Sequence, residues 1–196
     1  AIWFTVGDVA GKGINAALLM ARTTSLFRYL ARAAASPAEV LAAINAELLE
    51  AASHGMFVTM ICGVYDPATG EAALTNAGHD AALVLGGDGD SGAQWVPAHT
   101  PPLGLVADPF HDPTTMVTRV ALTGRRLYLF TDGLTETRGP DGAFLGGEGV
   151  AAALAEAEAT GVSGPDLVDG VLAHLAPVSG PPRDDLTLLR VAGPPS

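Results

Sequence analysis

The chain has 196 residues, 48% of them hydrophobic, which suits one domain with a full hydrophobic core. Acidic residues outnumber basic residues by 21 to 10, and Lys12 is the only lysine. Nucleic-acid binding requires clustered basic residues, so this balance excludes a nucleic-acid partner.

A single cysteine, Cys62, lies inside an apolar run. It excludes an internal disulfide and a cysteine zinc site, and we interpret it as a small buried hydrophobic residue. No apolar run approaches the length of a membrane span, and no signal peptide opens the chain. We therefore expect a cytoplasmic protein without membrane contact.

The first elements are a strand and two helices. Residues 1–7 (AIWFTVG) form a predicted buried strand that begins abruptly, so we expect the chain to start inside a domain. A glycine-rich turn over residues 7–13 leads to an amphipathic helix at 14–35. Residues 36–39 (SPAE) have a capping-box pattern with proline at the first helical position, and they predict a second helix that ends near residue 52.

Runs of apolar and β-branched residues predict several strands after the helices. Residues 66–70 (DPATG) form a predicted hairpin turn, and residues 86–92 (GGDGDSG) a loop. The predicted strands cover residues 56–65, 71–75, 81–85, 115–122, 125–131 and 185–191, and two more helices are predicted at 148–158 and 163–175.

Strands follow strands in this order, and helices come in pairs, unlike the alternation that builds a parallel sheet. We predict an α+β fold of antiparallel sheets covered by helix pairs. Residues 1–192 are assigned to one domain and residues 193–196 to a tail.

Three aspartates occupy strand ends in this prediction. Asp8 ends the first strand, Asp132 ends the strand at 125–131, and Asp184 begins the last strand. If the last strand lies antiparallel to the other two as their neighbour, all three aspartates fall on one edge of the sheet. Taken singly, each is better explained by a turn, because aspartate favours turns. Together they predict one acidic site.

Crowded carboxylates repel one another unless a cation neutralises them. Oxygen ligands suit Mg²⁺ or Mn²⁺ rather than zinc, and Mg²⁺ takes only one or two protein carboxylates, so three aspartates can serve two ions. A pair of ions can hold a phosphoryl group and lower the pKa of a nucleophilic water. The cluster therefore predicts metal-dependent hydrolysis of phosphate esters.

Two other motif-like segments are interpreted as structural. Residues 7–13 (GDVAGKG) have three residues between the first glycine and the Gly-Lys pair, whereas a phosphate-binding P-loop has four. His79 closes the tetrapeptide Asn76-Ala77-Gly78-His79, and by itself we interpret it as a loop-stabilising residue.

Six short segments carry a resemblance that runs nearly end to end. They are GDVAGKGINAALLMA at 7–21, FVT at 57–59, NAGH at 76–79, PLGL at 102–105, FTDGLTE at 130–136 and RDDLTLL at 183–189. In this order they resemble the PPM-type (protein phosphatase 2C-like) Ser/Thr phosphatases. The likeness is greatest to the bacterial branch that includes the sporulation stage II phosphatase E and the sigma-factor regulator phosphatases.

This resemblance implies an αββα sandwich with two Mn²⁺ or Mg²⁺ ions at one end. By motif position, Asp8 would bridge the ions and the Val9 carbonyl would bind one of them. Asp132 and Asp184 would bind the other ion, with Asp185 as the alternative to Asp184. A metal-bridging hydroxide would attack phosphorus in line, without a phosphoenzyme.

The resemblance also implies a phosphorylated protein as substrate, namely phosphoserine or phosphothreonine on an anti-sigma-factor antagonist. Dephosphorylation would let that antagonist capture the anti-sigma factor and release sigma. By the same resemblance, the helix pair over residues 14–52 is a regulatory surface, and the protein could form a homodimer.

The sequence departs from the family pattern at two points. The family has an earlier aspartate in a strand before the first motif, and this chain begins after that position. Eukaryotic members carry a histidine two residues after the bridging aspartate, where this chain has Ala10. Lys12, His79 or a metal-bound water are the candidates for protonating the leaving group.

Three hypotheses follow. An active phosphatase is favoured, because the three expected carboxylate ligands are present in the sequence. The alternative is a catalytically impaired regulatory or binding module that keeps the fold and lacks the N-terminal strand. An aspartyl-phosphate phosphotransferase is disfavoured, because its nucleophilic aspartate stands in an Asp-x-Asp arrangement that Asp132-Gly133-Leu134 does not offer.

Overall fold

The computed structural model describes residues 1–51, 55–86, 92–138, 142–159, 170–171 and 186–194. Within these ranges the elements in chain order are β1 (Ile2–Val9), α1 (Ile14–Leu30), α2 (Pro37–Ala51), β2 (Val58–Asp66), β3 (Glu71–Ala77), β4 (Ala82–Gly86), β5 (Gln94–Val96), β6 (Thr118–Ala121), β7 (Arg125–Phe130), α3 (Asp132–Thr135), α4 (Gly146–Ala159) and β8 (Leu188–Ala192). No helix in the described ranges combines the length and apolar composition that a membrane crossing requires.

The strands form two four-stranded sheets. The first has the order β1-β2-β3-β6 and the second the order β5-β4-β7-β8. Every pair of neighbouring strands in both sheets is antiparallel. The prediction of antiparallel sheets in an α+β fold is therefore confirmed.

Three apolar clusters define the layers of the molecule. The inner faces of the two sheets pack on each other through residues that include Phe4, Val6, Ile61, Leu127 and Leu129. The outer face of the first sheet packs against α1 and α2, and the outer face of the second packs against α4. The layer order is thus helix, sheet, sheet, helix, which confirms the predicted αββα sandwich.

The alternation of side chains along β1 determines where its polar residue Asp8 lies. Phe4 and Val6 point into the space between the sheets, and Asp8 takes the next position on the same face because strand side chains alternate. Val9 lies on the opposite face, in the cluster beneath the helices. Asp8 consequently stands where the apolar contact between the sheets ends.

Helix α2 begins where the capping pattern predicts. The Glu39 backbone N–H donates to Ser36 Oγ at 3.3 Å, and the Ala35 backbone N–H donates to Glu39 Oε2 at 3.0 Å. The glutamate thus reaches one residue further back than in a standard capping box. Helix α1 ends at Leu30, five residues earlier than predicted, because the chain turns before the Ser36-Pro37 start of α2.

Several boundaries differ from the prediction. β1 continues past Gly7 to Val9 because its ladder with β2 runs through Asp8 and Val9. β5 is a three-residue strand that pairs with β4 and was not predicted. The last strand begins at Leu188, not at Asp185. Part of the predicted loop at 86–92 and nearly all of the predicted helix at 163–175 lie outside the described residues.

Cys62 is fully buried on β2. Burial raises the pKa of its thiol because the charged thiolate is disfavoured away from water. The interpretation of Cys62 as a small core residue is confirmed.

The contact between the sheets predicts a large stability loss on truncation. Leu129 is fully buried in it, so Leu129→Ala should lower the free energy of unfolding by about 2–5 kcal/mol. Leu18→Ala, at an exposed position of α1, should change it by less than about 0.5 kcal/mol. Urea denaturation followed by circular dichroism measures both, and equal losses would contradict the assignment of the core.

Candidate active site

A cavity of about 260 Å³ opens at the end of the space between the sheets. Residues of both sheets and of the loops next to them form its walls. The lining residues are Asp8, Ala10, Phe57, Thr59, Gly78, His79, Asp80 and Asp132.

Two of the three predicted aspartates lie on this cavity. Asp8 reaches it from β1 of the first sheet, and Asp132 reaches it from the start of α3, directly after β7 of the second sheet. The condition that the strands of all three aspartates are neighbours in one sheet does not hold, because β1 belongs to the first sheet and β7 and β8 to the second. Asp8 and Asp132 therefore meet across the two sheets and not along one edge.

The third aspartate, Asp184, lies outside the described residues, as does Asp185. The described chain resumes at Leu186. The Thr187 backbone N–H donates to Thr131 Oγ1 at 3.0 Å, and the Thr131 N–H donates to the Thr187 carbonyl at 3.2 Å. The segment that leads into β8 thus lies beside the residue that precedes Asp132.

The backbone next to Asp8 is held on two sides. Asp8 pairs with Thr59 across the β1–β2 ladder, and its Oδ1 accepts a hydrogen bond from the Val9 N–H at 2.8 Å. The Ala10 N–H donates to the Phe57 carbonyl at 2.9 Å. These contacts keep the predicted ligands Asp8 and Val9 on a ladder that ends at the cavity.

His79 crosses the cavity wall from one sheet to the other. Its Nδ1 lies 2.9 Å from Thr59 Oγ1 on β2, and its Nε2 lies 3.1 Å from the carbonyl oxygen of Phe130, the last residue of β7. The ring is buried, with 8% of the residue exposed. His79 was interpreted only as a loop-stabilising residue. In the structure it also joins the two sheets.

The pKa of His79 depends on its burial and on the carboxylates around it. Burial lowers the pKa of the imidazole, while the negative charges of Asp80, Asp8 and Asp132 act in the opposite direction. Desolvation is the largest of these effects, so the ring is held in its neutral form.

Asn76 organises the loop that carries His79. Its Oδ1 accepts from the His79 N–H at 2.8 Å, and its Nδ2 donates to the carbonyls of His79 and Asp80 at 3.1 and 3.2 Å. Asn76 is fully buried, and a buried amide must find such partners. The side chain therefore fixes the turn between β3 and β4.

The glycine of the same loop is required by its conformation and by its neighbour. Gly78 has φ of 65°, a left-handed conformation that glycine adopts without strain. A Cβ at this position would lie 2.4 Å from Cδ of Pro102. The NAGH and PLGL segments, which are far apart in sequence, are thus packed together beside the cavity.

Asp80 is a lining residue that was not predicted from the sequence. It follows His79 directly, and Thr135 Oγ1 of α3 lies 3.4 Å from its Oδ2. Its position immediately after the NAGH segment was the available signal. Lys12, by contrast, is exposed in the loop before α1 and is absent from the described lining.

The carboxylate donors of the cavity are oxygen atoms, which suit hard divalent cations, and the ring nitrogens of His79 are already engaged by Thr59 and Phe130. Among the residues that the structure describes, no three His, Cys, Asp or Glu side chains lie close enough together to hold a metal ion. Mg²⁺ requires only one or two protein carboxylates, with waters completing its shell. Asp8 and Asp132 meet that requirement, so the residues of the cavity fit a divalent metal ion.

The model of the family described as stage II sporulation protein E (SpoIIE) matches residues 1–192. A comparison with the curated proteins gives no significant match. The chain is similar in structure to the SiaA-PP2C domain of Pseudomonas aeruginosa, with a TM-score of 0.76 and 21% identity over 97% of this chain and 74% of that chain.

Two further solved structures are similar. The RsbU and RsbW domains of a Mycobacterium tuberculosis protein match with a TM-score of 0.72 and 26% identity over 96% of this chain and 50% of that chain. The PP2C phosphatase domain and regulatory-domain fragment of the cell fate determinant SpoIIE from Bacillus subtilis match with a TM-score of 0.73 and 19% identity, over 96% of this chain and 53% of that chain. The chain thus spans about half of each of these two.

The loop held by Asn76 leads to a stability prediction. Asn76→Ala leaves the buried polar groups that it contacts without their partner, which should cost about 1–3 kcal/mol in the free energy of unfolding. Thr69→Ala, in the exposed turn between β2 and β3, removes only the acceptor of the Glu71 N–H and should cost less than about 0.5 kcal/mol. Urea denaturation compares the two, and an unchanged midpoint for Asn76→Ala would contradict the role of this side chain.

Proposed function

This chain belongs to the stage II sporulation protein E (SpoIIE) family, and from that premise we propose that it is a metal-dependent protein serine/threonine phosphatase. The resemblance predicted from the six motifs is confirmed by the family match and by the PP2C-like fold of the solved structures. The observation that carries the proposal is the cavity on which Asp8 of one sheet and Asp132 of the other both lie.

The charge of this cavity supports the metal requirement. A phosphate ester brings negative charge, and Asp8, Asp80 and Asp132 already line the walls. Carboxylates and a phosphate repel one another in a common site unless cations lie between them. An oxygen-lined acidic cavity that accepts phosphate therefore needs divalent ions, Mn²⁺ or Mg²⁺.

We assign the ligands by motif position. Asp8 would serve both ions of a two-ion site, the Val9 carbonyl would bind one of them, and Asp132 and Asp184 would bind the other. When bound, the ions would lower the pKa of a nucleophilic water and neutralise charge on the phosphoryl group. The hydrogen bond from the Val9 N–H to Asp8 Oδ1 holds that carboxylate in place, and the Thr131–Thr187 contacts hold the strand end that precedes Asp132.

The substrate we propose is phosphoserine or phosphothreonine on an anti-sigma-factor antagonist. It is supported by the structural similarity to an RsbU domain found with an RsbW domain, and to the cell fate determinant SpoIIE. The chain spans about half of those two proteins. The substrate and the partners of the whole protein are therefore proposed.

A second candidate function is a regulatory or binding module of the same fold with impaired catalysis. Such a module would keep the fold and the cavity and would lack turnover. The two candidates differ in Mn²⁺-dependent turnover.

The first test removes the cavity carboxylates. Asp8→Asn and Asp132→Asn should each lower kcat/KM for p-nitrophenyl phosphate with Mn²⁺ by on the order of 100-fold or more, because even outer-shell partners of a metal ligand are worth about 10–100-fold. The matched control is Asp108→Asn, an exposed aspartate outside the described cavity walls, which should keep the wild-type rate.

Equal rates for the wild type and Asp132→Asn would refute the two-ion site. A wild type that binds Mn²⁺ without turning over would favour the regulatory module. Addition of EDTA should abolish the activity of the wild type and of Asp108→Asn alike.

The second test decides between Asp184 and Asp185. If Asp184 is the ligand, Asp184→Asn should weaken Mn²⁺ binding and lower kcat/KM about as much as Asp132→Asn does, while Asp185→Asn should have a smaller effect. Isothermal titration with Mn²⁺ and phosphatase kinetics measure the pair. The reverse order would assign the ligand to Asp185.

A further inference from the structure

His79 holds one group from each sheet at the cavity. The carbonyl oxygen of Phe130 can only accept a hydrogen bond, so Nε2 of His79, 3.1 Å away, carries the proton. In a neutral ring Nδ1 is then an acceptor, and the Thr59 hydroxyl, 2.9 Å away, donates to it. Both ring nitrogens are thus engaged by the protein.

The groups that His79 contacts are next to the two carboxylates of the cavity. Thr59 is the cross-strand partner of Asp8, and its Oγ1 also lies 3.4 Å from the Asp8 carbonyl oxygen. Phe130 precedes Asp132 by two residues. A contact that holds Thr59 at a constant distance from Phe130 therefore also holds the backbone of Asp8 in position relative to the backbone of Asp132.

We propose that Thr59 and His79 form a strut that sets the separation of Asp8 and Asp132 across the two sheets, and that His79 is a positioning residue and not the general acid. This inference rests on the proposed function for its kinetic readout, whereas metal binding tests it separately. The two carboxylates come from different sheets, so no strand ladder sets their distance directly.

The general-acid alternative requires a different state of the ring. To protonate a leaving alkoxide, His79 would have to give up the Nε2 proton that it donates to Phe130, or carry a second proton on Nδ1 where it accepts from Thr59. Loss of the Nε2 proton removes the contact with Phe130, and a proton added on Nδ1 would be directed at Thr59 Oγ1, which would then accept it, and not at a leaving group. The contacts of the buried ring therefore favour a structural hold on the site over proton transfer.

Mn²⁺ affinity is the first readout. Thr59→Val removes the hydroxyl at nearly constant shape and should weaken Mn²⁺ binding in isothermal titration about 10-fold or more, the range seen for outer-shell partners of metal ligands. Thr59→Ser restores the hydroxyl and should return the affinity to within about 3-fold of the wild type.

Thr75→Val is the matched control for folding. Thr75 is fully buried on β3, and its hydroxyl donates to the Met116 carbonyl at 2.6 Å, away from the described cavity walls. This variant loses a buried hydroxyl bond of the same kind and should keep wild-type Mn²⁺ affinity. Equal weakening by Thr75→Val and Thr59→Val would overturn the strut, because general loosening would then explain both.

The second readout separates positioning from acid catalysis. His79→Gln should lower kcat for p-nitrophenyl phosphate and for phenyl phosphate by the same factor, since misplaced carboxylates affect both substrates. A general acid matters more for the poorer leaving group. A loss on phenyl phosphate at least about 10-fold larger than on p-nitrophenyl phosphate would overturn the proposal.

The two proposals can fail separately. If the wild type binds Mn²⁺ without hydrolysing either ester, the proposed phosphatase activity is wrong and the affinity series still decides on the strut. If the wild type hydrolyses both esters and Thr59→Val binds Mn²⁺ as the wild type does, the strut alone is wrong. A wild type that neither binds Mn²⁺ nor hydrolyses contradicts both.

Discussion

The apolar contact between the inner faces of the two sheets is the constraint from which the rest of this molecule follows. Each strand that takes part alternates its side chains, so one half of them must be apolar and fill the space between the sheets. Leu127 and Leu129 of the second sheet meet Phe4, Val6 and Ile61 of the first there. The same alternation continues into Asp8, at the point where the apolar filling stops.

The polar end of this contact has its own requirement. Groups buried there must be hydrogen-bonded, because an unpaired buried polar group is costly. Asn76, His79 and Thr59 satisfy one another and the nearby backbone, which closes the end of the core and leaves carboxylates around the cavity. A rigid, acidic, oxygen-lined cavity is what a phosphate-ester site built on divalent ions needs.

Helix starts and turns whose signals lie in a few adjacent residues were predicted well from the sequence. Pro37 and the Glu39 cap placed the start of α2 correctly, and the turn at 66–70 separated β2 from β3 as expected, because capping and turn formation depend on a few adjacent residues. β5 is only three residues long, and its pairing with β4 is a tertiary contact. Its sequence alone therefore carried too little periodicity to mark it.

The sequence by itself determined the class of the fold, the family and the identity of the candidate carboxylates, because strand order, alternation and short motifs are written along the chain. Only the tertiary structure decided that Asp8 and Asp132 meet across two sheets, that Asp80 joins them, and that His79 connects Thr59 to Phe130. The physical reason is that the end of a strand at which a residue lies is a local property of the sequence. Which sheet a strand joins depends on contacts between residues far apart in sequence, and those form only when the core packs.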